Sequence, residues 1–193
     1  MPRSTHEAPP VTSAVLRRAG VKDIPAMLRL INAYASQQIM LPRTEFEMAE
    51  NIRDFVVAFD GNTLIGCGAL HFYSPVSAEV RSLAVDPTHK QGGIGRAIVE
   101  SLEQEAREND LENVFAFTYV PGFFRKLGFA EVNRDELPLK AWKDCLKCPK
   151  FQACDEIAML KTLRASDRPA QPALRVLMPR PGEGPVRLPS LKV

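Results

Sequence analysis

The chain has 193 residues, of which 45% are hydrophobic and 25% are charged, a balance typical of one soluble globular domain. Its formal net charge is +2, but residues 164–193 carry six Lys or Arg against two Asp or Glu, so residues 1–163 are slightly acidic. This distribution argues against a domain that binds nucleic acid through a concentrated basic face, and no apolar run is long enough to predict a transmembrane helix.

Proline divides the chain into three parts. Residues 1–13 contain three prolines and no apolar signal segment, and they are predicted to be a disordered lead. Residues 164–193 contain six prolines, each of which removes a backbone donor, and they are predicted to be a disordered tail. The folded domain is therefore expected at residues 14–163, in a protein of the reducing cytoplasm, where structural disulfides are rare.

Short patterned segments follow one another through the first half of this domain. They predict a strand at Val15–Arg18, a helix at residues 24–36, a second helix at Glu45–Arg53 and strands at residues 55–59 and 63–72. Asp23 is placed to cap the first helix, and Pro25 suits its first turn. The turn at residues 60–62, Asp-Gly-Asn, predicts that the two strands form a β-hairpin.

The second half continues the alternation of strands and helices. It predicts a strand at residues 79–85, a helix from Gly93, a strand at Val114–Thr118, a short helix at Phe123–Leu127 and a strand at Glu156–Leu163. Ile94, Ile98 and Leu102 recur every four residues and give the longer helix one apolar stripe. The order of elements predicts an α+β (α/β layered) domain built around a mixed sheet.

A glycine-rich loop joins the strand at residues 79–85 to the following helix. Gly92, Gly93 and Gly95 allow close approach of a ligand, and the free amides at the start of the helix favour a phosphate or diphosphate. A glycine-rich turn without a ligand is the alternative. The lysine of a Walker A loop is missing. The acidic residues Glu100, Glu103 and Glu105 lie within the predicted helix itself, which is the wrong register for a Rossmann fingerprint, so both of those phosphate sites are excluded.

The string VRSLAVDPTHKQGGIGRA (residues 80–97) resembles the acetyl-CoA loop of the GNAT (GCN5-related) N-acetyltransferases. The segment VPGFFRKLGF (residues 120–129) resembles the second signature of the same family. The resemblance implies the GNAT fold, with a splayed, mostly antiparallel mixed sheet flanked by helices. It also implies these acetyl-CoA-binding residues: Leu83, Ala84, Val85, Lys90, Gln91, Gly92, Gly93, Ile94, Gly95, Arg96, Phe124 and Lys126.

Two catalytic roles follow from the same resemblance. Glu79 stands where the family places a general base for the acceptor amine, although a solvated charge at a strand end is an equal alternative. Phe124 occupies a position where the family often has a tyrosine that protonates the departing thiolate. Tyr119 or a water molecule is then expected to supply the proton, or the thiolate leaves unprotonated, as its pKa of about 8.5 permits.

Four stretches, at residues 38–44, 79–87, 123–129 and 137–159, resemble the short bacterial N-acetylglutamate synthases. This resemblance implies acetyl transfer to L-glutamate, the first step of arginine biosynthesis. Arg43 and Arg81 are the candidates for binding the glutamate carboxylates, with Lys126 as a third, although each arginine could instead be an ordinary surface residue. The expected partners are acetyl-CoA and L-glutamate, without nucleic acid or membrane, and a homodimer is left open.

Cys145, Cys148 and Cys154 form a C-x2-C-x5-C cluster. Thiols at this spacing can hold zinc, with Asp155 or a histidine (His6, His71 or His89) as the missing fourth ligand. A redox pair and a purely structural role are the alternatives. Cys67, between two glycines of a predicted strand, is expected to be a small buried residue.

Two other functions remain open at the level of sequence. One is transfer of acetyl to a different amine, of a small molecule or of a protein. The other is a catalytically silent module that senses acyl-CoA or metal, which the loss of the tyrosine and the cysteine cluster would motivate. Steady release of CoA with glutamate distinguishes an active enzyme from the silent module.

Overall fold

A seven-stranded sheet forms the centre of the fold in the computed structural model, which describes residues 14–137, 150 and 153–164. The elements in chain order are β1 (Val15–Arg18), α1 (Ile24–Ala35), α2 (Glu45–Glu50), β2 (Phe55–Asp60), β3 (Thr63–Ser74), β4 (Ser77–Val85), α3 (Ile94–Glu108), β5 (Asn113–Thr118), α4 (Pro121–Arg125), β6 (Ala130–Glu131) and β7 (Ile157–Thr162). The strand order is β1-β2-β3-β4-β5-β7-β6.

The sheet is mixed, and β4 and β5 are its parallel pair. The other five neighbouring pairs are antiparallel. The predicted fold class, a mostly antiparallel mixed sheet flanked by helices, is confirmed.

The parallel pair separates part of the way along its length. The pairing joins residues 77–79 of β4 to residues 113–115 of β5 and ends there. Beyond this point β4 runs on to Val85 while β5 runs on to Thr118 and pairs with β7. The two strands therefore diverge after Glu79 and Phe115, which opens a gap between their carboxyl-terminal halves.

A β-bulge changes which way β4 presents its side chains. Ala69 faces Arg81 and Cys67 faces Ala84, so β4 has one residue more than β3 in this interval. Ser82 takes up the extra length with a φ of +52°, in the left-handed region. Regular alternation would turn Ser82 to the face opposite Arg81, and the bulge interrupts that alternation at this residue.

The helices cover the two faces of the sheet, and each face has its own apolar core. α3 packs over one face through Ile94, Ile98 and Leu102. It lies very close to β3, because a Cβ atom at Gly68 would be 2.8 Å from Ile98. α1 and α2 cover the opposite face, with Met27, Ile31 and Met48 buried in a second cluster.

Most predicted elements are confirmed, and the differences have local causes. α2 ends at Glu50 rather than Arg53, because the chain turns there into a short 3-10 helix at Ile52–Asp54. Asp23 stands at the start of α1 but makes no side-chain capping bond to it. Its carboxylate instead accepts from Gly20 N–H and from Arg17, and the Arg17 guanidinium lowers its pKa.

The two-residue strand β6 was not predicted, since a segment this short carries no periodicity. Cys67 is buried as expected, and burial raises the pKa of its thiol to about 12. Within the described ranges, every helix is too short or too polar to cross a bilayer. The predicted lead and almost all of the predicted tail lie outside the described residues.

Candidate active site

The glycine-rich loop between β4 and α3 presents free backbone amides. Gly93 immediately precedes α3 and has a φ of +75°, in the left-handed region. This backbone conformation favours glycine, which has no Cβ atom. The first helical bond of α3 runs from Ala97 N–H to Gly93 O, which leaves the amides of residues 93–96 without a partner among the described residues, whereas Gly92 N–H donates to His89 O at 3.0 Å. The open space around Gly93 makes this end of α3 accessible to an anionic ligand.

The turn that leads into this loop is held by Asp86. Its carboxylate accepts from Thr88 N–H at 2.9 Å, and the hydrogen bonds from Thr88 lower the pKa of the carboxyl. His89 lies beside it, with Nδ1 3.3 Å from the same carboxylate. The loop therefore starts from a fixed point at the end of β4.

The cationic residues predicted for the cofactor border the loop. Lys90 is exposed, and its Nζ lies 5.0 Å from the ring centroid of Tyr34 on α1. Arg96 is exposed on the first turn of α3 and pairs with Glu100 at 3.3 Å. Both can add positive charge beside a diphosphate, and neither is committed to a buried partner. Gln91 and Gly92 are exposed between them.

The edge of β4 in the gap offers backbone groups to an extended ligand. Asp86 N–H bonds to Ile65 O across the β3–β4 pair, so the alternate residue Val85 directs its carbonyl away from β3. That carbonyl accepts from Tyr34 Oη at 2.6 Å. Leu83, two residues earlier, lies on the same edge. The structure thus places Leu83 and Val85, two of the residues predicted to bind acetyl-CoA, where β4 has parted from β5.

Glu79 lies at the point where β4 and β5 separate. The residue is 1% exposed, which excludes the alternative of a solvated charge at a strand end. Tyr73 on β3 donates its hydroxyl to Glu79 Oε2 at 3.2 Å. A carboxylate this buried requires such compensation.

Arg81 lies two residues further along the same face. Its side chain is 8% exposed, so it is not an ordinary surface arginine. One guanidinium nitrogen lies 3.3 Å from Asn51 Oδ1 and 3.9 Å from Asp54 Oδ2. Asp54 also contacts His71 Nδ1 at 2.7 Å. This cluster joins the end of α2 to the sheet beside Glu79.

Arg43 lies at the other end of α2, just before its N-cap residue Thr44. It is half-buried, and its guanidinium makes no hydrogen bond or ion pair with any other residue that the structure describes. Its backbone is bonded to the Asn32 side chain at both N–H and C=O. α2 spans the distance between Arg43 and the Arg81 cluster, so both predicted carboxylate ligands border the same face of the sheet.

The two adjacent phenylalanines of α4, Phe123 and Phe124, have different surroundings. Phe124 is 4% exposed and packs edge-on against Phe129 in the core, so its ring acts as a core residue. Phe123 is half-buried, and its ring would lie 3.4 Å from a Cβ atom at Gly95 of the cofactor loop. Lys126 is exposed at the end of this helix, and its carbonyl accepts from Arg96 at 3.4 Å.

Tyr119 follows β5 and already has partners. Its hydroxyl donates to Asp155 at 2.9 Å, and Lys150 Nζ lies 3.2 Å from the same oxygen. Burial raises the pKa of the phenol, and the bond to Asp155 raises it further. The group therefore stays protonated, as an acid must, but its proton points at Asp155. Its role as the acid stays a prediction.

The zinc prediction finds no support in the part of the chain that the structure describes. Cys145 and Cys148 lie outside it, and the described residues contain no group of three His, Cys, Asp or Glu that could hold a metal. Cys154 Sγ instead lies 3.1 Å from an Arg134 guanidinium nitrogen, whose charge opposes a cation there. Three of the proposed fourth ligands already have other partners: Asp155, His71 and His89.

The sequence did not point to several residues that shape this site: Asn32, Tyr34, Asp54, His71 and Tyr73. Tyr34 and Asn32 lie on α1, and the apolar spacing explains Tyr34 as a core residue without indicating its bond to Val85. The alternation of β3 does place His71 and Tyr73 on one face. Only the register of β3 against β4 reveals that this face carries Glu79.

Comparison with known proteins agrees with this geometry. Residues 24–129 match the model of the acetyltransferase (GNAT) family. An uncharacterised N-acetyltransferase of Chlorobaculum tepidum is 43% identical over 80% of this chain and 99% of that protein. An amino-acid acetyltransferase of Mycobacterium tuberculosis is 38% identical over 66% of this chain and 74% of that protein.

This chain is also similar to a solved structure that contains bound ligands. The N-acetylglutamate synthase of Neisseria gonorrhoeae, complexed with coenzyme A and N-acetyl-glutamate, superposes with a TM-score of 0.71. It is 27% identical in sequence, and the match covers 79% of this chain. The chain described here corresponds to 35% of that longer protein.

Proposed function

Because the chain belongs to the GNAT acetyltransferase family, we propose that it transfers the acetyl group of acetyl-CoA to the α-amine of L-glutamate. In this proposal it acts in the cytoplasm and produces N-acetyl-L-glutamate, the first step of arginine biosynthesis. The observation that carries the proposal is one face of the sheet on which buried Glu79 lies at the start of the gap, with the largely buried Arg81 two residues along the same strand. The relatives named amino-acid acetyltransferase support it.

Acetyl-CoA is proposed to bind along the gap. Its diphosphate accepts hydrogen bonds from the backbone amides of residues 91–96 other than Gly92, whose N–H donates to His89 O, with Lys90 and Arg96 beside it. Its pantetheine amides bond to the free edge of β4 at Leu83 and Val85, as an added strand would. The thioester is thereby delivered to the point where β4 and β5 part, next to Glu79.

The reaction then requires a neutral amine. Glu79 takes a proton from the glutamate ammonium, directly or through a water molecule, and the amine nitrogen attacks the thioester carbonyl carbon. The C–N bond forms, the nitrogen of the tetrahedral intermediate gives up its second proton to solvent water, and the C–S bond breaks as the carbonyl re-forms. The thiolate takes a proton from Tyr119 or water, or leaves as the anion. Arg43 and Arg81 hold the carboxylates of the acceptor in this proposal.

The decisive experiment measures the release of free CoA from acetyl-CoA across a panel of amino acids and small amines. L-glutamate is expected to exceed glutamine, aspartate and lysine in kcat/KM. A different amine with the highest kcat/KM would assign the enzyme to another acceptor, and an absence of CoA release with every amine would favour the silent module.

A variant tests the role of Arg43. Arg43→Ala is expected to raise the KM for glutamate about 10- to 100-fold, the usual effect of losing a charge-assisted hydrogen bond, while the KM for acetyl-CoA stays within about twofold. Steady-state kinetics with each substrate varied in turn measures both values. Arg29→Ala, at an exposed arginine of α1, is the matched control. Equal changes in both KM values would contradict the assignment.

A further inference from the structure

The side chain of Asn32 clamps the backbone of Arg43. Its Nδ2 donates to Arg43 O at 3.0 Å, and its Oδ1 accepts from Arg43 N–H at 2.9 Å. One amide side chain thus satisfies both backbone groups of a residue 11 positions away, as a neighbouring strand would. Asparagine is a poor residue for the interior of a helix, so its position in α1 has a cost that this clamp offsets.

Little else fixes the backbone that leads to Arg43. Within the described part of the chain, the backbone of residues 40–43 makes hydrogen bonds only at Arg43, and both go to Asn32. Pro42 has no N–H to contribute. The course of this segment beside the acceptor face therefore depends on the clamp.

The chain is fixed again immediately after Arg43. Thr44 caps α2 by accepting from Glu47 N–H at 3.2 Å, and the Glu47 carboxylate accepts from Thr44 N–H at 3.0 Å. The backbone of Arg43 is thus held from both directions, while its guanidinium keeps no partner among the described residues. A fixed backbone with an uncommitted charged group is what a preorganised binding residue needs.

We propose that Asn32 is a positioning residue for the acceptor. It holds Arg43 in place before the acceptor arrives, so that less ordering is required when the guanidinium meets a carboxylate. The inference deepens the proposed function and rests on it through the role of Arg43. Asn32 itself touches neither substrate in this account.

Asn32→Ala tests the clamp. It is expected to lower kcat/KM for glutamate about three- to tenfold through KM, with kcat and the KM for acetyl-CoA nearly unchanged, because only the ordering of one side chain is lost. Asn109→Ala is the matched control, since Asn109 also uses its amide to bond a backbone carbonyl, that of Glu105 at the far end of α3. The control is expected to leave both KM values unchanged.

A double-variant cycle distinguishes positioning from other roles. In the Arg43→Ala background, Asn32→Ala should change kcat/KM for glutamate no further, because the residue that it positions is gone. An additional full decrease would overturn the proposal, since Asn32 would then act independently of Arg43. Asn32→Asp keeps the shape but loses the N–H donor, and it should raise the KM for glutamate in the same sense if Asn32→Ala folds poorly.

The outcomes separate this inference from the proposed function. If Arg43→Ala leaves the KM for glutamate unchanged, the assignment of Arg43 fails. If Arg43→Ala raises it while Asn32→Ala and Asn32→Asp both keep the wild-type value, only the clamp is refuted. Thermal melting by circular dichroism accompanies each variant, so that a loss of folded protein is not counted as a loss of acceptor binding.

Discussion

At the residue scale, Glu79 combines deep burial with a position at an opening in the sheet. A buried carboxylate is costly unless polar groups compensate it, and the Tyr73 hydroxyl supplies one such bond. Arg81 lies on the same face two residues away, so the carboxylate and a cation occupy one environment. The two-residue spacing of Glu79 and Arg81 along a strand is enough to place them on one face, but whether Glu79 is solvated depends on the neighbouring strands β3 and β5.

The residue-scale prediction concerns the pH profile. Glu79→Gln keeps the size of the side chain but cannot accept a proton, so kcat is expected to fall about 100-fold or more. The acidic limb of the profile, along which the rate rises as the base loses its proton, is expected to disappear. Measuring kcat and kcat/KM from pH 5 to about pH 9 checks both effects.

The control for this change is Glu50→Gln, at an exposed carboxylate of α2. It is expected to leave the rate and the shape of the profile unaltered. An acidic limb that persists in Glu79→Gln at the wild-type position would show that another group is the base.

At the element scale, the junction of β4 and α3 determines where a cofactor can bind. Gly93 supplies the left-handed turn, and the open amides of α3 follow it directly. The glycine spacing in the sequence identified this junction, because glycines just before a helix allow a ligand to approach its free amides. The sequence could not show that Tyr34 of α1 reaches the Val85 carbonyl on the same edge.

The element-scale prediction compares two glycines of the described residues, one in the loop before α3 and one in the turn between β2 and β3. Gly93 and Gly61 both have positive φ, and nothing lies within 4 Å of a Cβ atom at either position. An alanine should therefore strain each turn by a similar amount, about 1–2 kcal/mol of unfolding free energy. Only Gly93→Ala is expected to raise the KM for acetyl-CoA, because only that turn presents the loop amides.

Chemical denaturation and steady-state kinetics on the two variants check this expectation. If Gly61→Ala raised the KM for acetyl-CoA as much as Gly93→Ala, general destabilisation, and not the geometry of the loop, would control cofactor binding. An unchanged KM in Gly93→Ala would remove the loop from the proposed diphosphate site.

At the scale of the whole molecule, the last described residues fasten β7 to the body of the domain. Leu163 N–H donates to Glu112 O at 2.7 Å, Arg107 donates to Leu163 O at 3.0 Å, and Arg164 pairs with Asp110 at 3.3 Å. These bonds complete the contact of β7 with the strand and helix beside it. The domain boundary near residue 164 stays a prediction.

Truncation tests that boundary. A chain ending at Arg164 is expected to keep the melting temperature of the full chain within about 2 °C, since a change of 1 kcal/mol would move it by about 2–4 °C. Its KM values for both substrates are expected to be unchanged. Differential scanning calorimetry measures the melting temperature, and the CoA-release assay measures the KM values. A large drop in either stability or activity would show that residues 165–193 contribute to the folded, active domain.

By itself, the sequence determined the family, the order of the elements and the cofactor loop, because periodicity and glycine spacing act over a few residues. It also showed that the net charge of +2 comes from the proline-rich end, which left the domain to attract anions by local placement. Tertiary structure decided what depends on long-range register. This includes the separation of β4 from β5, the bulge at Ser82, the burial of Glu79 and the clamp between Asn32 and Arg43. These features arise where distant segments meet, and no local pattern encodes which backbone group a side chain will reach.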